Sequence, residues 1–381
     1  MNLIAYLERY LDHAVEQDLA RKMVFIGGPR QSGKTTLARQ ALKRAGENPT
    51  VRYLNWDVLE NRRTIMEERF PAGDGLLVLD EVQKYSRWRQ TVKGLFDSRG
   101  PELRILVTGS AKLDYYRRGG DSLQGRYHFY RLFPLSLAEL KSQSHNDLMD
   151  LYTYGGFPEP FLLASETESR RWTREYHSRL VRQDLSGLER LHDISLVERL
   201  AMRLPDLVGA PLSLNSLRED LQVSHQSVSR WVDMLENLYM LFRIYPFGAA
   251  KIRAVKKESK HYHFDWTVVK NPGGRFENMI ACHLHKWCCF LQDSQGRNIE
   301  LRYFRDIDKR EVDFVIVEDL KPVGFIECKL NGKELHSGLR YLTERFPEVP
   351  AVQLVLGEKV DVITKERIRI CSAEHYLKDL V

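Results

Sequence analysis

Long apolar runs are missing from this sequence. No stretch approaches the ~18 consecutive apolar residues that a membrane-spanning helix needs. Residues 1–8 also lack the basic segment and apolar run of a secretory signal. These absences predict a cytoplasmic protein with no membrane partner.

The Cys-x-x-Cys spacing is also missing among the five cysteines. A zinc ribbon and a thioredoxin-like redox site are therefore not supported. Cys282 and Cys288 lie near His283 and His285, which leaves a metal site as one interpretation. We favour the other interpretation, reduced cysteines in a core.

A strong charge of one sign is absent as well. The 381 residues include 58 Lys and Arg against 52 Asp and Glu, so the formal net charge is only +6. A mildly basic chain permits nucleic-acid binding without requiring it. Low-complexity segments and internal repeats are lacking too, and 43% hydrophobic residues is an ordinary globular composition. At this length we expect two or three domains of about 100–200 residues.

The first third of the chain alternates short apolar runs with segments of helical periodicity. Runs of this length and composition are typical of buried strands. Strands that alternate with helices predict a parallel sheet covered by helices on both faces. Strands are predicted at 23–26, 51–54, 76–79 and 104–108, and helices at 3–21, 35–44, 57–69 and 88–98.

The first of these strands leads into a glycine-rich phosphate motif. Residues 28–35 match G-x-x-x-x-G-K-[ST] in full, between a strand and a helix. Glycines let backbone N–H groups turn toward phosphate oxygens, and the positive end of the helix faces the same anion. We expect Lys34 to reach the β- and γ-phosphates of ATP and the Thr35 hydroxyl to coordinate Mg²⁺. The expected nucleotide-binding residues are Gly28, Pro29, Arg30, Gln31, Ser32, Gly33, Lys34, Thr35 and Thr36.

Two acidic residues follow the third strand, at the edge where ligands of open α/β sheets bind. Asp80 is expected to hold Mg²⁺ through water, and Glu81 to polarise the attacking water as a general base. An apolar strand that ends in Asp-Glu is a weak signal alone. With a phosphate loop upstream, it predicts an ATPase.

Four further positions are candidates for the same chemistry. Ser110, after the fourth strand, is a candidate to hydrogen-bond the attacking water or the γ-phosphate, with a simple turn as the alternative. Arg126 is a candidate finger for the γ-phosphate of a neighbouring subunit. Arg117 and Arg118 compete for that role, and a solvated arginine is the alternative for all three.

The rest of the chain is first mostly helical and then alternates again. The pattern is helical over 136–190, with a turn at 155–158, and predicts several short helices over 194–242. A β-ribbon is predicted at 244–269, helices at 275–290 and 334–346, and strands at 301–305, 312–318, 323–329 and 351–356. The C-terminal part therefore predicts a second α/β unit.

The order of these motifs resembles a widespread prokaryotic family of AAA+ ATPases with a C-terminal domain described as being of unknown function. The resemblance spans nearly the whole chain and implies an AAA+ core that uses ATP and Mg²⁺. It also implies a homo-oligomer, because AAA+ sites commonly form between subunits. The matching motifs lie at 28–35, 79–84, 108–110, 122–126, 134–136, 155–159, 261–265 and 275–277.

Residues 212–239 follow the rhythm of a helix-turn-helix motif, and a basic ribbon comes after them. A recognition helix beside a basic wing is typical of a winged helix that binds DNA. A winged helix used only for protein contacts or subunit packing is the alternative. The residues expected to contact DNA are His225, Gln226, Ser229 and Arg230 on the helix and Lys251, Arg253, Lys256 and Lys257 on the ribbon, which also contains Lys260.

Asp313, Glu327 and Lys329 have the D-x(n)-E-x-K spacing of the PD-(D/E)xK nuclease fold. Period-two alternation places Glu327 and Lys329 on one strand face, where Asp313 on the next strand can meet them. With Glu277 and a backbone carbonyl, these carboxylates would bind one or two Mg²⁺ or Mn²⁺ ions, and Lys329 would orient the attacking water. An ordinary ion pair at a sheet edge and an inactive nuclease fold retained for binding are the alternatives.

Together these patterns predict an α/β protein of several domains. ATP hydrolysis would drive remodelling or processing of DNA, with branched DNA as one candidate, and the C-terminal site would add metal-dependent cleavage. Two rivals stay open: a nucleotide-gated switch with an inactive nuclease-like domain, and a protein remodeller that does not contact nucleic acid. The predicted domains are an AAA+ core at 1–145, a helical connector at 146–195, a winged helix at 196–268 and a nuclease-like domain at 269–381.

Overall fold

The structure is a computed structural model, and its description covers most of the chain. The described residues are 6–100, 102–110, 113, 123–141, 146–185, 194–248, 258–332, 334–357 and 359–381. They form two compact units, unit 1 at Met1–Leu135 and unit 2 at Ser136–Val381. Among the described residues of both units, no helix combines the length and the apolar character that membrane crossing requires.

Unit 1 contains a five-stranded sheet in which every pair of neighbouring strands is parallel. The order is β2-β3-β4-β1-β5, so the strand that leads into the phosphate motif lies near the middle. This sheet confirms the parallel α/β core that the sequence predicts. Its strands are β1 Met23–Gly27, β2 Tyr53–Asn55, β3 Gly75–Asp80, β4 Leu103–Thr108 and β5 Tyr127–Arg131.

The sequence does not predict β5, because its pattern is not a continuous apolar run. This strand lies at the sheet edge and pairs only with β1, and its first two and last residues are half-buried. The inner strands β1 and β3 are buried almost throughout, which explains their unbroken apolar runs.

Five helices among the described residues accompany this sheet, and their bounds differ from the predicted ones at several ends. The predicted helix 3–21 is wrong over residues 6–11, which precede the first helical turn. The second strand starts later than predicted because Asn48 caps a short helix that has Pro49 at its first position. The helices are α1 Asp12–Leu19, α2 Lys34–Arg44, α3 Pro49–Arg52, α4 Leu59–Met66 and α5 Trp88–Arg99.

Unit 2 contains an eight-stranded mixed sheet with the order β12-β13-β11-β10-β9-β8-β6-β7. The predicted ribbon appears as the antiparallel pair β6 and β7, and residues 249–257 between them lie outside the described residues. Because β6 also pairs with β8, this ribbon shares a sheet with the predicted nuclease-like strands. The strands are β6 Leu241–Pro246, β7 Lys260–His263, β8 Ile299–Arg305, β9 Glu311–Glu318, β10 Lys321–Lys329, β11 Ala351–Val355, β12 Asp361–Ile363 and β13 Ile368–Ser372.

The helices of unit 2 lie mostly before the sheet in the chain. The longest extends the predicted helix 275–290 in both directions, because Asn271 caps its start and Gly296, with φ of 66°, ends it. The domain boundaries predicted at 145, 195 and 268 stay predictions. The helices are α6 Asp147–Tyr154, α7 Pro158–Leu163, α8 Glu166–Arg179, α9 Ile194–Arg203, α10 Leu214–Leu221, α11 His225–Asn237, α12 Pro272–Gln295, α13 Ser337–Arg345 and α14 Ala373–Leu377.

Candidate functional site

The phosphate loop joins β1 to α2 through two positions that favour glycine. Gly28 has φ of 136°, and a Cβ there would lie 2.4 Å from the carbonyl oxygen of Leu132. Gly33 has φ of 98° and directly precedes α2. A side chain is strained in this backbone region, so glycine is needed at both ends of the turn. The loop thus has the turn that the motif predicts, with the amino end of α2 beside it.

Lys34 is buried at the start of α2, and its ammonium bonds the loop itself. Nζ donates to the carbonyl oxygens of Gly28, at 3.1 Å, and of Pro29. Burial lowers the pKa of Lys34 to about 8, although the carboxylates of Glu81 and Asp80 oppose this shift. An ammonium held inside the loop is positioned to exchange these carbonyls for phosphate oxygens.

This lowered pKa predicts that nucleotide binding weakens at alkaline pH. A deprotonated Lys34 does not attract phosphate, so the dissociation constant of a non-hydrolysable ATP analogue should rise by up to about tenfold per pH unit above about pH 8. Fluorescence titrations at several pH values measure the slope. The matched control is Lys34→Arg, whose guanidinium keeps its charge, so any remaining affinity should be flat with pH. Constant affinity of the wild type up to about pH 10 would contradict this assignment.

Arg9 forms hydrogen bonds with the phosphate loop, a contact that the sequence does not predict. Its guanidinium is buried and donates to the carbonyl oxygens of Ser32 and Phe133, both at 2.6 Å. Asp12 accepts from the backbone N–H of Arg9 at 2.8 Å and so fixes the segment before α1. Charged hydrogen bonds to buried carbonyls stabilise the loop conformation.

Asp80 lies at the sheet edge, between the carboxyl ends of two neighbouring strands. It is buried at the carboxyl end of β3, where Asn55 and Thr108 lie beside it in register. Its carboxylate accepts from the Thr35 hydroxyl at 3.1 Å and from the Thr108 hydroxyl at 2.6 Å. The structure therefore brings together Thr35 and Asp80, the two residues predicted to share Mg²⁺.

Two partners of Asp80 come from β2, and the sequence gives no local signal for them. The hydroxyl of Tyr53 donates to Oδ2 of Asp80, and the Asn55 amide lies 3.4 Å from the same oxygen. Burial and the neighbouring carboxylate raise the pKa of Tyr53 to about 12, so the phenol keeps its proton as a donor. These contacts fix the rotamer of Asp80 on the sheet edge.

Glu81 follows directly, with a left-handed backbone at φ of 56°. One carboxylate oxygen accepts from the backbone N–H of Ser110 at 3.2 Å, and the other accepts from the Gln83 amide at 2.9 Å. The ammonium of Lys84 lies 3.4 Å from the second oxygen and 2.6 Å from Asp57. Burial alone would lower the pKa of Lys84, but the carboxylates of Glu81 and Asp57 outweigh it and raise that pKa.

Of the remaining candidates of unit 1, Ser110 joins this group, Arg126 lies apart from it, and two arginines lie outside the described residues. Ser110 is buried and reaches Glu81 through its backbone. The guanidinium of Arg126 donates to the two carboxylate oxygens of Asp97, at 2.7 Å and 3.0 Å. Arg126 directly precedes β5, whose amino end lies beside the amino end of β1. Its role toward a neighbouring subunit stays a prediction. Arg117 and Arg118 are among the residues that the structure does not describe.

In unit 2, the three residues of the nuclease-like spacing do lie together. The backbone N–H of Asp313 on β9 donates to Glu327 on β10 at 3.2 Å, and Lys329 donates to the other oxygen of Glu327 at 2.6 Å. The backbone N–H of Cys328 donates to Asp313 at 2.9 Å. Burial and the carboxylates of Glu277 and Glu327 raise the pKa of Asp313 well above its usual value.

Lys260 lies in the ribbon as the sequence predicts, but its side chain is fully buried, so it does not belong to an exposed basic face. Its Nζ lies 2.5 Å from Glu311, 3.4 Å from Glu277 and 3.9 Å from Asp313. Burial lowers the pKa of an ammonium, but these three carboxylates reverse the effect and raise the pKa of Lys260 well above its usual value. The lysine therefore carries its charge inside the sheet.

The cysteines of unit 2 are reduced, as the favoured interpretation of the sequence has it. All five are free, and four of them are buried. Within the described ranges, no group of three or more His, Cys, Asp or Glu side chains is arranged to hold a metal ion. The finding covers Glu277, Asp313 and Glu327, so the structure does not support the metal site predicted there.

The predicted DNA-contacting helix is α11, and Ser224 caps its start. His225, Gln226 and Arg230 are exposed and Ser229 is half-buried, while the apolar stripe of the helix is buried, as expected. Lys251, Arg253, Lys256 and Lys257 lie outside the described residues.

Comparison with known proteins agrees with this geometry in unit 1. Residues 20–141 match a family model described as an AAA domain. Over these residues the chain is similar to AAA domains. Residues 145–270 and 272–376, downstream of the AAA domain, match two domains of unknown function.

Similar proteins extend the comparison beyond the AAA domain. An uncharacterised protein of Haemophilus influenzae is 23% identical over 344 residues, which are 81% of this chain and 82% of that protein. An uncharacterised protein of Mycobacterium tuberculosis is 26% identical over 312 residues, 80% of this chain and 69% of that protein. Among solved structures, a Walker-type ATPase of Pyrococcus abyssi has 14% identity and a TM-score of 0.45 over 69% of this chain and 95% of its own.

Proposed function

We propose that the protein hydrolyses Mg²⁺–ATP at the carboxyl edge of its parallel sheet and uses this cycle to remodel or process DNA. The observation that carries the proposal is the 3.1 Å hydrogen bond from Thr35 to Asp80, with Lys34 and Glu81 next to them in the chain. Residues from the phosphate loop and from β3 meet there, as ATP hydrolysis requires.

The AAA domain supplies binding and orientation. The backbone N–H groups of the loop and the amino end of α2 would bind the phosphates, and Lys34 would exchange its contacts with Gly28 and Pro29 for phosphate oxygens. The hydroxyl of Thr35 and the carboxylate of Asp80 are hard oxygen donors that suit Mg²⁺. When bound, Mg²⁺ would neutralise charge on the β- and γ-phosphates.

Glu81 is the residue that we assign to water activation. Its carboxylate lies at the sheet edge beside Ser110, within the same turn of chain as Asp80. The hydrogen bonds from Gln83 and from the Ser110 backbone orient it, and the Lys84 ammonium lies 3.4 Å from one of its oxygens. A carboxylate that is oriented in this way accepts a proton from water as a general base.

DNA is the partner that we propose for unit 2. The support is the exposed first turn of α11, where His225 and Gln226 lie beside Arg230, together with the lysines and arginine at 251–257 in the sequence. Such side chains bind phosphates and base edges when a helix enters the major groove. A homo-oligomer is part of the proposal, with Arg126 as the residue offered to a neighbouring site.

Salt-dependent DNA binding is the expected result. Arg230→Ala should weaken the affinity for duplex DNA and reduce the slope of log affinity against log salt by about 0.9 for each phosphate that is no longer neutralised. Gel-shift titrations over a salt series measure both quantities. Arg171→Ala, an equally drastic change at an exposed arginine of α8, is the matched control and should change neither. Binding that does not respond to salt would instead favour the protein-remodelling rival.

Coupling is tested by the rate of ATP hydrolysis with linear, plasmid and branched DNA. A DNA that is remodelled should raise the rate, and the form that raises it most identifies the substrate. Lys34→Ala sets the background of the assay, because it removes the phosphate contact. Equal rates with and without every DNA form would contradict the coupling while leaving the ATPase itself intact.

A further inference from the structure

We propose that the ammonium of Lys260 takes the place of a divalent cation in unit 2. The nuclease-like cluster of this unit then holds no metal ion and does not cut DNA. The cluster comprises Glu277 on α12, Glu311 and Asp313 on β9, and Glu327 on β10. The inference does not depend on ATP hydrolysis or on DNA binding.

The first argument is the position of the charge. Nζ of Lys260 lies within 4 Å of Glu277, Glu311 and Asp313, three carboxylates from two separate elements. A cation surrounded by carboxylate oxygens is the arrangement that a metal ion would need, and here the cation is a side chain of the protein. A second, divalent cation in the same place would be repelled by the ammonium.

The second argument is that the carboxylate oxygens already face donors of the chain. Asp313 accepts from the Cys328 backbone through Oδ2, and its Oδ1 faces Lys260 at 3.9 Å. Glu327 accepts from the Asp313 backbone through Oε2 and from Lys329 through Oε1, which also lies 3.3 Å from His336. A metal ion would have to displace these donors, and buried donors left without partners destabilise the fold.

The third argument is that other groups of the chain crowd both oxygens of Glu277, including Oε1, which also faces Lys260 at 3.4 Å. Tyr262 is fully buried and donates its hydroxyl to Oε1 of Glu277 at 2.7 Å. The backbone at Gly209 approaches the other oxygen so closely that a Cβ there would lie 2.8 Å from it. Gly209 has φ of 83°, so the chain turns over Glu277 in a conformation that favours glycine.

Lys260 is also fixed in place by its strand. It is the first residue of β7, it pairs in register with Ile244 of β6, and its Nζ lies 5.4 Å from the centre of the Tyr303 ring. A buried side chain on a paired strand does not swing away without disturbing the sheet. The ammonium therefore joins the ribbon to α12 and β9, a structural role in which a metal ion is not needed.

Metal binding by the full chain without nucleotide tests this assignment, because the phosphate loop then holds no Mg²⁺–ATP. Titration of Mn²⁺, followed by the electron paramagnetic resonance signal of the free ion, should show no stoichiometric site in the wild type. Lys260→Met removes the charge but keeps the length of the side chain. It should bind about one Mn²⁺ per chain, at least about tenfold tighter than any weak, non-stoichiometric binding of Mn²⁺ by the wild type. Adding Asp313→Asn to Lys260→Met should abolish the new site.

Thermal melting gives a second readout. The melting temperature of the wild type should not respond to Mn²⁺, whereas Lys260→Met should melt lower and be raised by Mn²⁺. A stoichiometric Mn²⁺ site in the wild type that Asp313→Asn removes would overturn the proposal, and this test holds even if Lys260→Met does not fold. A folded Lys260→Met that gains no site would overturn it as well. DNA cleavage by the wild type that is abolished in Lys329→Ala is a further contradicting result.

Discussion

Glu81→Gln should bind ATP with nearly wild-type affinity and hydrolyse it about 10²–10⁴-fold more slowly. Loss of a general base commonly costs this much in rate. The substitution keeps the size of the side chain, so its oxygen still accepts from the backbone N–H of Ser110. The hydrogen bonds that hold Lys34 to the loop carbonyls of Gly28 and Pro29 do not involve Glu81, so binding should be preserved.

The measurements are steady-state phosphate release and equilibrium binding of a fluorescent ATP analogue on the same preparation. Glu60→Gln makes the same chemical change at an exposed position of α4 and should leave both quantities unchanged. Lys34→Ala should lose binding and thereby separate a defect in chemistry from one in affinity. Turnover of Glu81→Gln within about threefold of the wild type would remove Glu81 from the role of base.

The nucleotide site is largely predictable from the sequence, because its chemistry is local. A phosphate loop needs its glycines, lysine and threonine within one turn of chain, and the acids need one apolar strand before them. Ser110 could be predicted from the strand that it follows. The roles of these segments in nucleotide binding therefore depend little on how the rest of the chain folds.

The supporting contacts are not predictable in this way, because they depend on which strands become neighbours. Tyr53 and Asn55 reach Asp80 only because β2 pairs with β3, and Thr108 reaches it because β4 lies on the other side. Arg9 binds the loop carbonyl of Ser32, 23 positions away in the chain. No local pattern in the sequence contains these pairings.

The burial of the charged Lys260 could not be predicted from its local sequence either. In the sequence it belongs to a run of basic residues, which usually indicates an exposed surface. Its burial depends on Glu277, Glu311 and Asp313, which approach from a helix and a strand far along the chain. A buried charge is revealed by its partners, so only the assembled sheet identifies it.

Unit 2 should lose most of its stability between about pH 6.5 and pH 4. Burial lowers the pKa of His261 to about 4 and that of His283 to about 4, and it lowers the pKa of His263 well below the usual value. In the unfolded chain these rings titrate near pH 6.5. A histidine with a lowered folded pKa contributes its full stability above pH 6.5, and this contribution is lost as the pH falls toward the folded pKa.

The size of the effect follows from the pKa difference. Between 6.5 and about 4, each of His261 and His283 costs about 3 kcal/mol, so the two together approach the whole stability of an ordinary domain. Burial is the main reason why the pKa of His283 is lowered, and the hydrogen bond from Nδ1 to the Met279 carbonyl opposes this shift. Nε2 accepts from the backbone N–H of Leu137, a contact that only the neutral ring can make. The raised pKa of Asp313 acts in the opposite direction, but it is one group against three.

Cysteine labelling makes this loss measurable for unit 2 alone, because all five cysteines lie in it. Urea unfolding at each pH, followed with a dithiodipyridine reagent that reacts at acid pH, should give a midpoint that falls steeply below pH 6.5. His283→Gln should reduce the loss of unfolding free energy over this pH range by about 3 kcal/mol. His225→Gln, at an exposed ring, should not change that loss. A midpoint that stays constant from pH 7 to 4 would show that the buried rings accept protons without cost, which contradicts the burial that lowers their pKa.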